Sequence, residues 1–423
     1  MEWWKCAPSS SMTPAEGAIA AERAARESYG KLVAHLARRF RDLAAAEDAL
    51  SEAFAAALIA WPLDGVPANP EGWLFAAARR RLLDGVRRRQ TAARAEPALL
   101  LLAEEQDKPT MIDSLANERL PDERLGLMFA CAHPALEPGV RTTLMLQTVL
   151  GLSAERIAPL YLSSPATISQ RLVRAKRKIR DAGIPFAVPG PEEWGERLGA
   201  VVEAIYGGFG EGWSQDGDLA EEAIWLGRVL VGLAPGDPEA LGLLALMLHV
   251  EARRPARRGP GGSYVPLDEQ DVGLWRRDLI AEAEGLLRRA AAYGRPGRFQ
   301  IEAAIQSAHA VRLVGQPVNW RAVAGLYQAL AVMTGSPVAA LNQAAALARF
   351  EGPGAGLSAL EPLADSLGDY QPYWALKAHL LAEAGERAGA LEAYDEAIAR
   401  EADPAVQTFL QKKRDEAAGD VEG

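Results

Sequence analysis

Ser163-Ser164-Pro165-Ala166-Thr167-Ile168-Ser169-Gln170-Arg171-Leu172-Val173-Arg174-Ala175-Lys176-Arg177-Lys178 is the stretch from which the rest of the chain can be read. Serine followed by proline suits a helix start. The hydroxyl can accept from an otherwise orphaned N–H, and proline lacks a donor that would be unpaired at the first helical position anyway. On a helical wheel Ile168, Leu172, Ala175 and Ile179 form one apolar stripe. Thr167, Gln170, Arg171, Arg174, Arg177 and Lys178 project from the opposite side. Upstream, Leu152-Ser153 opens a short helix and Leu162-Ser163 makes a turn. Helix, turn and helix with a polar, basic outer face is what a major groove accepts: arginine pairs with guanine, glutamine with adenine, and lysine suits phosphate. A solvated basic face is the alternative for this segment alone. Pro159 falls inside the first helix, where it removes a backbone hydrogen bond at a cost of about 3 kcal/mol, so that helix is expected to bend or end there.

A second informative stretch lies about a hundred residues earlier, Ala46-Glu47-Asp48-Ala49-Leu50-Ser51-Glu52-Ala53-Phe54. Between Ala46 and Trp61 helical spacing puts Leu50, Phe54, Ala57, Leu58 and Trp61 on one face and leaves Asp48 and Glu52 together on the outside. Paired carboxylates can do acid–base chemistry, but nothing nearby supplies a nucleophile, a metal ligand or a pocket. An acidic face that docks a basic partner is the better reading. After a loop over 63–69, Pro70-Glu71-Gly72-Trp73-Leu74 starts a helix with Arg79, Arg80, Arg81, Arg87, Arg88 and Arg89 against only Glu71 and Asp84. Consecutive arginines cannot share one face, and Arg80 and Arg87 are within reach of Asp84, so part of this charge is consumed inside the helix. A basic helix beside an aromatic still suits melted or single-stranded DNA, which offers phosphates and unstacked bases.

The chain is expected to be all-α and multi-domain. Apolar residues recur at three- and four-residue spacing, and alternating β-branched runs are scarce. The net charge of −10 argues against a nucleic-acid partner until it is divided: residues 1–190 carry a net of +3 and residues 191–423 a net of −13. The acidic half is a poor DNA binder, and the other half remains a candidate. No apolar run is long enough for a membrane span, and Met1-Glu2-Trp3-Trp4-Lys5 lacks a signal-peptide pattern. Cys6 and Cys131 are far apart and without a partner motif, which argues for a reduced, cytoplasmic protein with neither disulfide framework nor structural zinc. The five histidines form no metal-binding or catalytic pattern, and Gly207 to Gly212 match no phosphate-binding loop. No cofactor and no metal is expected, and the chain is not read as an enzyme.

In this order and spacing the motifs resemble regions 2 and 4 of an RNA polymerase sigma factor of the extracytoplasmic-function type, over residues 21 to 184. The resemblance implies core RNA polymerase and promoter DNA as partners, with promoter melting and transcription initiation as the function. It places polymerase docking on Asp42, Leu43, Glu47, Asp48, Glu52 and Phe54. It places the minus-ten element on Asp64, Asn69, Trp73, Arg79, Arg80, Arg87 and Arg88. The minus-thirty-five element would be read by Thr167, Ser169, Gln170, Arg171, Arg174 and Lys178. Two positions depart from the family: Ser51 stands where glutamine is usual, and Arg80 where asparagine is common. Past Pro185 the chain resembles the subgroup with a long helical extension, on Ile205 to Trp213, Gly242 to Met247 and Ser336 to Asn342.

The expected organisation is a tail over 1–20, region 2 over 21–90, a linker over 91–118 and region 4 over 119–184. A helical extension follows over 185–315, then tetratricopeptide-like repeats over 316–412 and a tail over 413–423. The repeat signature rests on Trp374, Ala378, Gly385, Ala390, Tyr394 and Ala397, with Pro404 closing it; small residues at such positions let two helices approach closely. Contact with a regulatory protein, not chemistry, is the role this implies. The competing reading of the whole chain is a one-component helix-turn-helix regulator with a repeat-type sensor, which has no need of the docking helix.

Overall fold

A computed structural model describes residues 14–93, 122–161, 163–214 and 218–419. Cys6, Leu162 and most of the expected linker lie outside the described residues. Helices account for the architecture, and among the described residues the only β-type pairing is an isolated bridge between Arg258 and Tyr264. The all-α expectation therefore holds. No described helix is long and apolar enough to cross a membrane. The chain divides into two compact units, Met1–Ala223 and Ile224–Gly423.

In the first unit, α1 (Pro14–Phe40) and α2 (Leu43–Asp64) meet at Arg41, whose φ of 54° makes the left-handed turn between them. Asp42 then caps α2, its carboxylate accepting from the Ala45 N–H at 3.1 Å. Asn69 does the same for α3 (Pro70–Ala93), accepting from the Gly72 N–H at 2.9 Å. The three helices bury Leu32, Leu36, Leu50, Trp61 and Leu74 between them. α1 starts at Pro14 and not near Ala21, because a proline with φ already fixed begins a helix instead of breaking one. Helices α4 (Arg124–Cys131), α5 (Pro138–Thr148), α6 (Ala154–Ile157) and α7 (Pro165–Asp181) follow, then α8 (Gly195–Ser214). α8, assigned from sequence to the extension, packs on α5 and α4 within this unit. Its glycines 207–212 lie inside a helix, not in a loop. α9 (Asp218–Leu233) contains the division between the units.

In the second unit, α10 (Pro238–Ala252) is apolar on nearly every side and is buried under α11 (Arg277–Ala291) and α12 (Arg298–Ala310). No side chain of its own caps α12. Glu239 of α10 supplies the acceptor, taking the Phe299 and Gln300 N–H groups at 3.0 and 3.3 Å and setting a carboxylate at the positive end of the helix. Gly242 permits this approach, since a Cβ there would stand 2.6 Å from the Gln300 nitrogen.

The array continues through α13 (Trp320–Thr334), α14 (Pro337–Glu351), α15 (Pro353–Leu360) and α16 (Ala364–Leu367). It ends with α17 (Gln371–Glu383), α18 (Arg387–Ala399) and α19 (Pro404–Ala418). The hairpin α17–α18 buries Ala378, Ala390, Tyr394 and Ala397 and turns at Gly385, whose φ is 79°. Trp374 packs against it and donates its indole N–H to the Gly368 carbonyl at 2.7 Å. α19 runs through the start of the expected C-terminal tail, capped by Asp403.

Gly242→Ala is expected to cost about 1–3 kcal/mol, because backbone cannot move aside for the methyl group. Gly285→Ala, in α11 with nothing within 4 Å of the added Cβ, should instead stabilise by roughly 0.5–1 kcal/mol. Chemical denaturation of the two variants checks the pair.

Candidate functional site

Two helices present outward faces, and their inward faces hold the unit together. On α2 the buried residues are Leu43, Ala46, Ala49, Leu50, Ala53, Ala57 and Trp61. The opposite face is exposed at Asp48, Ser51, Glu52, Ala55, Ile59 and Leu63, with Leu58 at its edge. Ile59 is 70% exposed and Leu63 81%, so an acidic start gives way to an apolar end along one stripe. The sequence reading put Leu58 with the core residues, but half of its surface is open to solvent and only Ala57 and Trp61 point inward there. Ile59 and Leu63 were missed. Helical wheel positions aligned with Asp48 would have found them, since residues 48, 52, 55, 59 and 63 recur at four- and three-residue spacing.

The expected docking residues divide by this geometry. Asp48 and Glu52 are exposed, and Glu52 pairs with Arg81 of α3 at 2.5 Å with both side chains about half open, an interaction of small value. Phe54 is half-buried, Leu43 is buried, and Asp42 is engaged as the α2 cap. Glu47 faces α7. Its carboxylate meets the Lys176 ammonium at 2.5 Å, and each side chain is 12% exposed. Lys176 also reaches the Gln147 amide oxygen at 2.7 Å. Burial holds the Glu47 carboxyl above its ordinary range, a push that Lys176 opposes and Asp48 reinforces. Nearby, the Cys131 thiol is buried and pushed up to about 12, chiefly by burial and against a hydrogen bond with Thr148, so it is an inert core group.

Of the residues expected at the minus-ten element, Asp64 is exposed at the end of the last turn of α2, and Asn69 caps α3. Trp73 is half-buried and stands edge-on to Trp61, ring centres 5.6 Å apart. Arg79 is buried, and burial followed by the neighbouring Arg39 lowers its pKa. Arg80 and Arg81 are exposed, and exposed Arg87 lies 3.8 Å from Asp84. The Arg88 side chain lies outside the described residues. The run of arginines is therefore split between one inward and several outward groups.

The segment around α7 forms as its sequence suggests. Ser164 caps the helix, accepting from the Thr167 N–H at 3.2 Å, with Pro165 in the first turn. Ile168, Leu172, Ala175 and Ile179 are buried. Ser169, Gln170, Arg171, Arg174 and Lys178 are exposed, while Thr167 is half-buried with its hydroxyl 2.9 Å from that of Ser164. Upstream, α6 ends at Ile157 and a 3-10 turn spans Ala158–Tyr161, which accommodates Pro159 where a continued α-helix would clash.

Residues 26–92 match the family described as Sigma-70 region 2. Residues 197–291 match a family of unknown function (DUF6596). A protein of Rhizobium meliloti (strain 1021), described as uncharacterized, is 38% identical over 392 residues, which cover 91% of this chain and 93% of that one. No solved structure matches the chain.

Removing Lys176 leaves Glu47 as a buried, unpaired carboxylate. Lys176→Met is expected to destabilise the first unit by about 3–5 kcal/mol at neutral pH, and adding Glu47→Gln should recover most of that. In Lys176→Met the folded form holds its Glu47 proton to a higher pH than the unfolded form does. Stability is then greatest below the ordinary carboxylate range and falls as pH rises through the elevated folded value, so the deficit relative to the unmutated chain shrinks on acidification. Urea titrations at acidic and neutral pH test both the size and the sign.

Proposed function

The chain belongs to the family of the Rhizobium meliloti protein and carries a Sigma-70 region 2 domain, and from that premise we propose that it is an RNA polymerase sigma factor of the extracytoplasmic-function type. The observation that carries the proposal is the α2 face inside the matched segment: acidic at Asp48 and Glu52, apolar at Ile59 and Leu63, and uncovered within its unit. An exposed apolar stripe of this kind favours a protein partner over water, and the carboxylates beside it select a basic one. Core RNA polymerase docks there in this reading.

Promoter DNA is assigned to two surfaces. Arg80, Arg81 and Arg87 on α3, with Trp73 at its start, offer phosphate contacts beside an aromatic for the melted minus-ten element. Gln170, Arg171 and Arg174 on α7 offer base contacts for the minus-thirty-five element, with Lys178 on phosphate. The elements are named for positions roughly twenty-five apart, or about 85 Å of B-DNA at about 3.4 Å per step. Glu47 of α2 and Lys176 of α7 are in contact, so the two helices must separate before both elements can be occupied at once. The second unit supplies the regulatory extension, with α17–α18 as a tetratricopeptide-like hairpin for a regulatory protein.

Binding of the full chain to bacterial core RNA polymerase is the deciding experiment. Tight binding that weakens by roughly tenfold or more in Asp48→Arg and in Ile59→Glu supports the docking face, each substitution placing a charge of the wrong kind on it. Absence of binding by the intact chain and by residues 1–223 alike would sink the reading. In promoter-binding assays with the polymerase holoenzyme, Arg171→Ala should cost about 1–3 kcal/mol of discrimination between a cognate and an altered minus-thirty-five element. An equal loss on every sequence would reduce Arg171 to a phosphate contact.

A further inference from the structure

Within the acidic second unit, a cavity of about 230 Å³ opens between α12, α13, α14 and α17. His309, Trp320, Tyr327, Asn342 and Arg349 line it, with Asp268, His379 and Glu383 also on its wall. The wall sets Arg349 against Asp268 and Glu383, and the groups behind it decide the balance. Arg349 is held with its guanidinium 4.9 Å from the centre of the Trp320 ring and pairs with Asp268 at 3.0 Å. His379 pairs with Glu383 at 3.4 Å. Behind His309 and Tyr327 stand two further arginines that no carboxylate neutralises among the described residues.

Arg312 spends its donors on backbone, reaching the carbonyls of Leu267, Asp268 and Gln270 at 2.6, 3.0 and 3.0 Å. Arg253 bonds the neutral Gln306 amide and leaves Nη1 buried without a partner. Both guanidiniums lie against the Trp275 ring, 5.9 Å from its centre for Arg253 and 5.3 Å for Arg312. Burial brings Arg253 down to about 10, which still leaves it charged at neutral pH. Burial, then the fields of Arg253, Arg312 and Arg349 against Asp268 alone, takes His309 down to about 4. The ring is therefore neutral, and its Nδ1 is a buried polar atom with no hydrogen-bond partner among the described residues.

Taking a guanidinium out of water without a counter-charge costs several kcal/mol, and an orphaned buried polar atom adds to that. An anion seated at Arg349 would offset both, drawing on the field of Arg253 and Arg312 and offering an acceptor or donor to the Asn342 amide and the His309 ring. We propose that this cavity binds a small anion-headed ligand, carboxylate or phosphate, with Arg349 as the direct ion-pair donor, Asn342 and His309 as neutral hydrogen-bonding partners, and Trp320 as a flat wall. The volume suits a metabolite-sized molecule and not a folded partner. The site is independent of the polymerase and DNA assignments, which concern the other unit.

The test is calorimetric titration of the full chain with inorganic phosphate and, separately, with citrate, against sodium chloride at matched ionic strength. Saturable binding of either probe beyond chloride is expected, and phosphate alone or citrate alone then identifies the headgroup. Arg349→Met should weaken it roughly tenfold or more. Asn342→Leu, which removes no charge, should also weaken it and serves if the arginine variant does not fold. Arg228→Gln, at the Arg228–Glu282 pair away from the cavity, should leave binding unchanged. No response beyond chloride, or equal weakening in Arg228→Gln and Arg349→Met, overturns the site.

Discussion

The first unit depends on how closely α1 can approach the end of α5. Gly30 lies against the Val149 carbonyl, and a Cβ there would stand 1.9 Å from the oxygen. Any other residue would push the three-helix bundle away from the helices that carry α7. The same junction brings Tyr29 to Gly151 and Glu47 to Lys176, so one backbone contact sets the distance at which a buried ion pair can form. A buried pair contributes little net stability because desolvation cancels much of its attraction, but it penalises every arrangement that separates the two charges without hydrating them. Glycine supplies the fit, and the pair supplies the register.

This arrangement also determines which faces remain for partners. The inward side of α2 is consumed by Leu50, Ala53, Ala57 and Trp61, and that of α7 by Ile168, Leu172, Ala175 and Ile179. Each helix is left with one outward stripe, and the two differ in chemistry. Carboxylates followed by apolar groups suit a protein surface, whereas glutamine and arginine around a single exposed Val173 suit base edges and phosphates. The contrast between these two faces of a single unit thus follows from which side each helix has already buried.

Local structure was legible in the sequence, and long-range pairing was not. Ser164-Pro165 announced the start of α7, and the stripe from Ile168 to Ile179 announced its buried side, because caps and periodicity are properties of a few consecutive residues. Pro159 correctly marked the place where an α-helix could not continue. By contrast, Glu47 was read as a docking carboxylate, although its partner is Lys176, distant in sequence. Helical spacing groups Leu58 with the core face, but it lies at the edge of that face, where half of its surface stays open to solvent. Asp42 and Asn69, singled out for partners, already serve as caps, the role their short side chains perform best where a helix starts.

The second unit makes the same point about charge. A net of −5 for residues 224–423 describes its surface and its solubility, yet Arg253 and Arg312 are bonded to an amide and to carbonyls and meet no carboxylate among the described residues. Neutral acceptors satisfy hydrogen bonds without cancelling charge, so a guanidinium held by them projects its field into whatever space it borders. His309, on the wall of the cavity, lies in the field of both arginines. An acidic exterior around a cationic interior repels small anions at long range and holds them at short range. Occupancy of such a site therefore responds to ionic strength, because salt screens the outer repulsion across a Debye length of about 8–10 Å more effectively than it screens buried contacts.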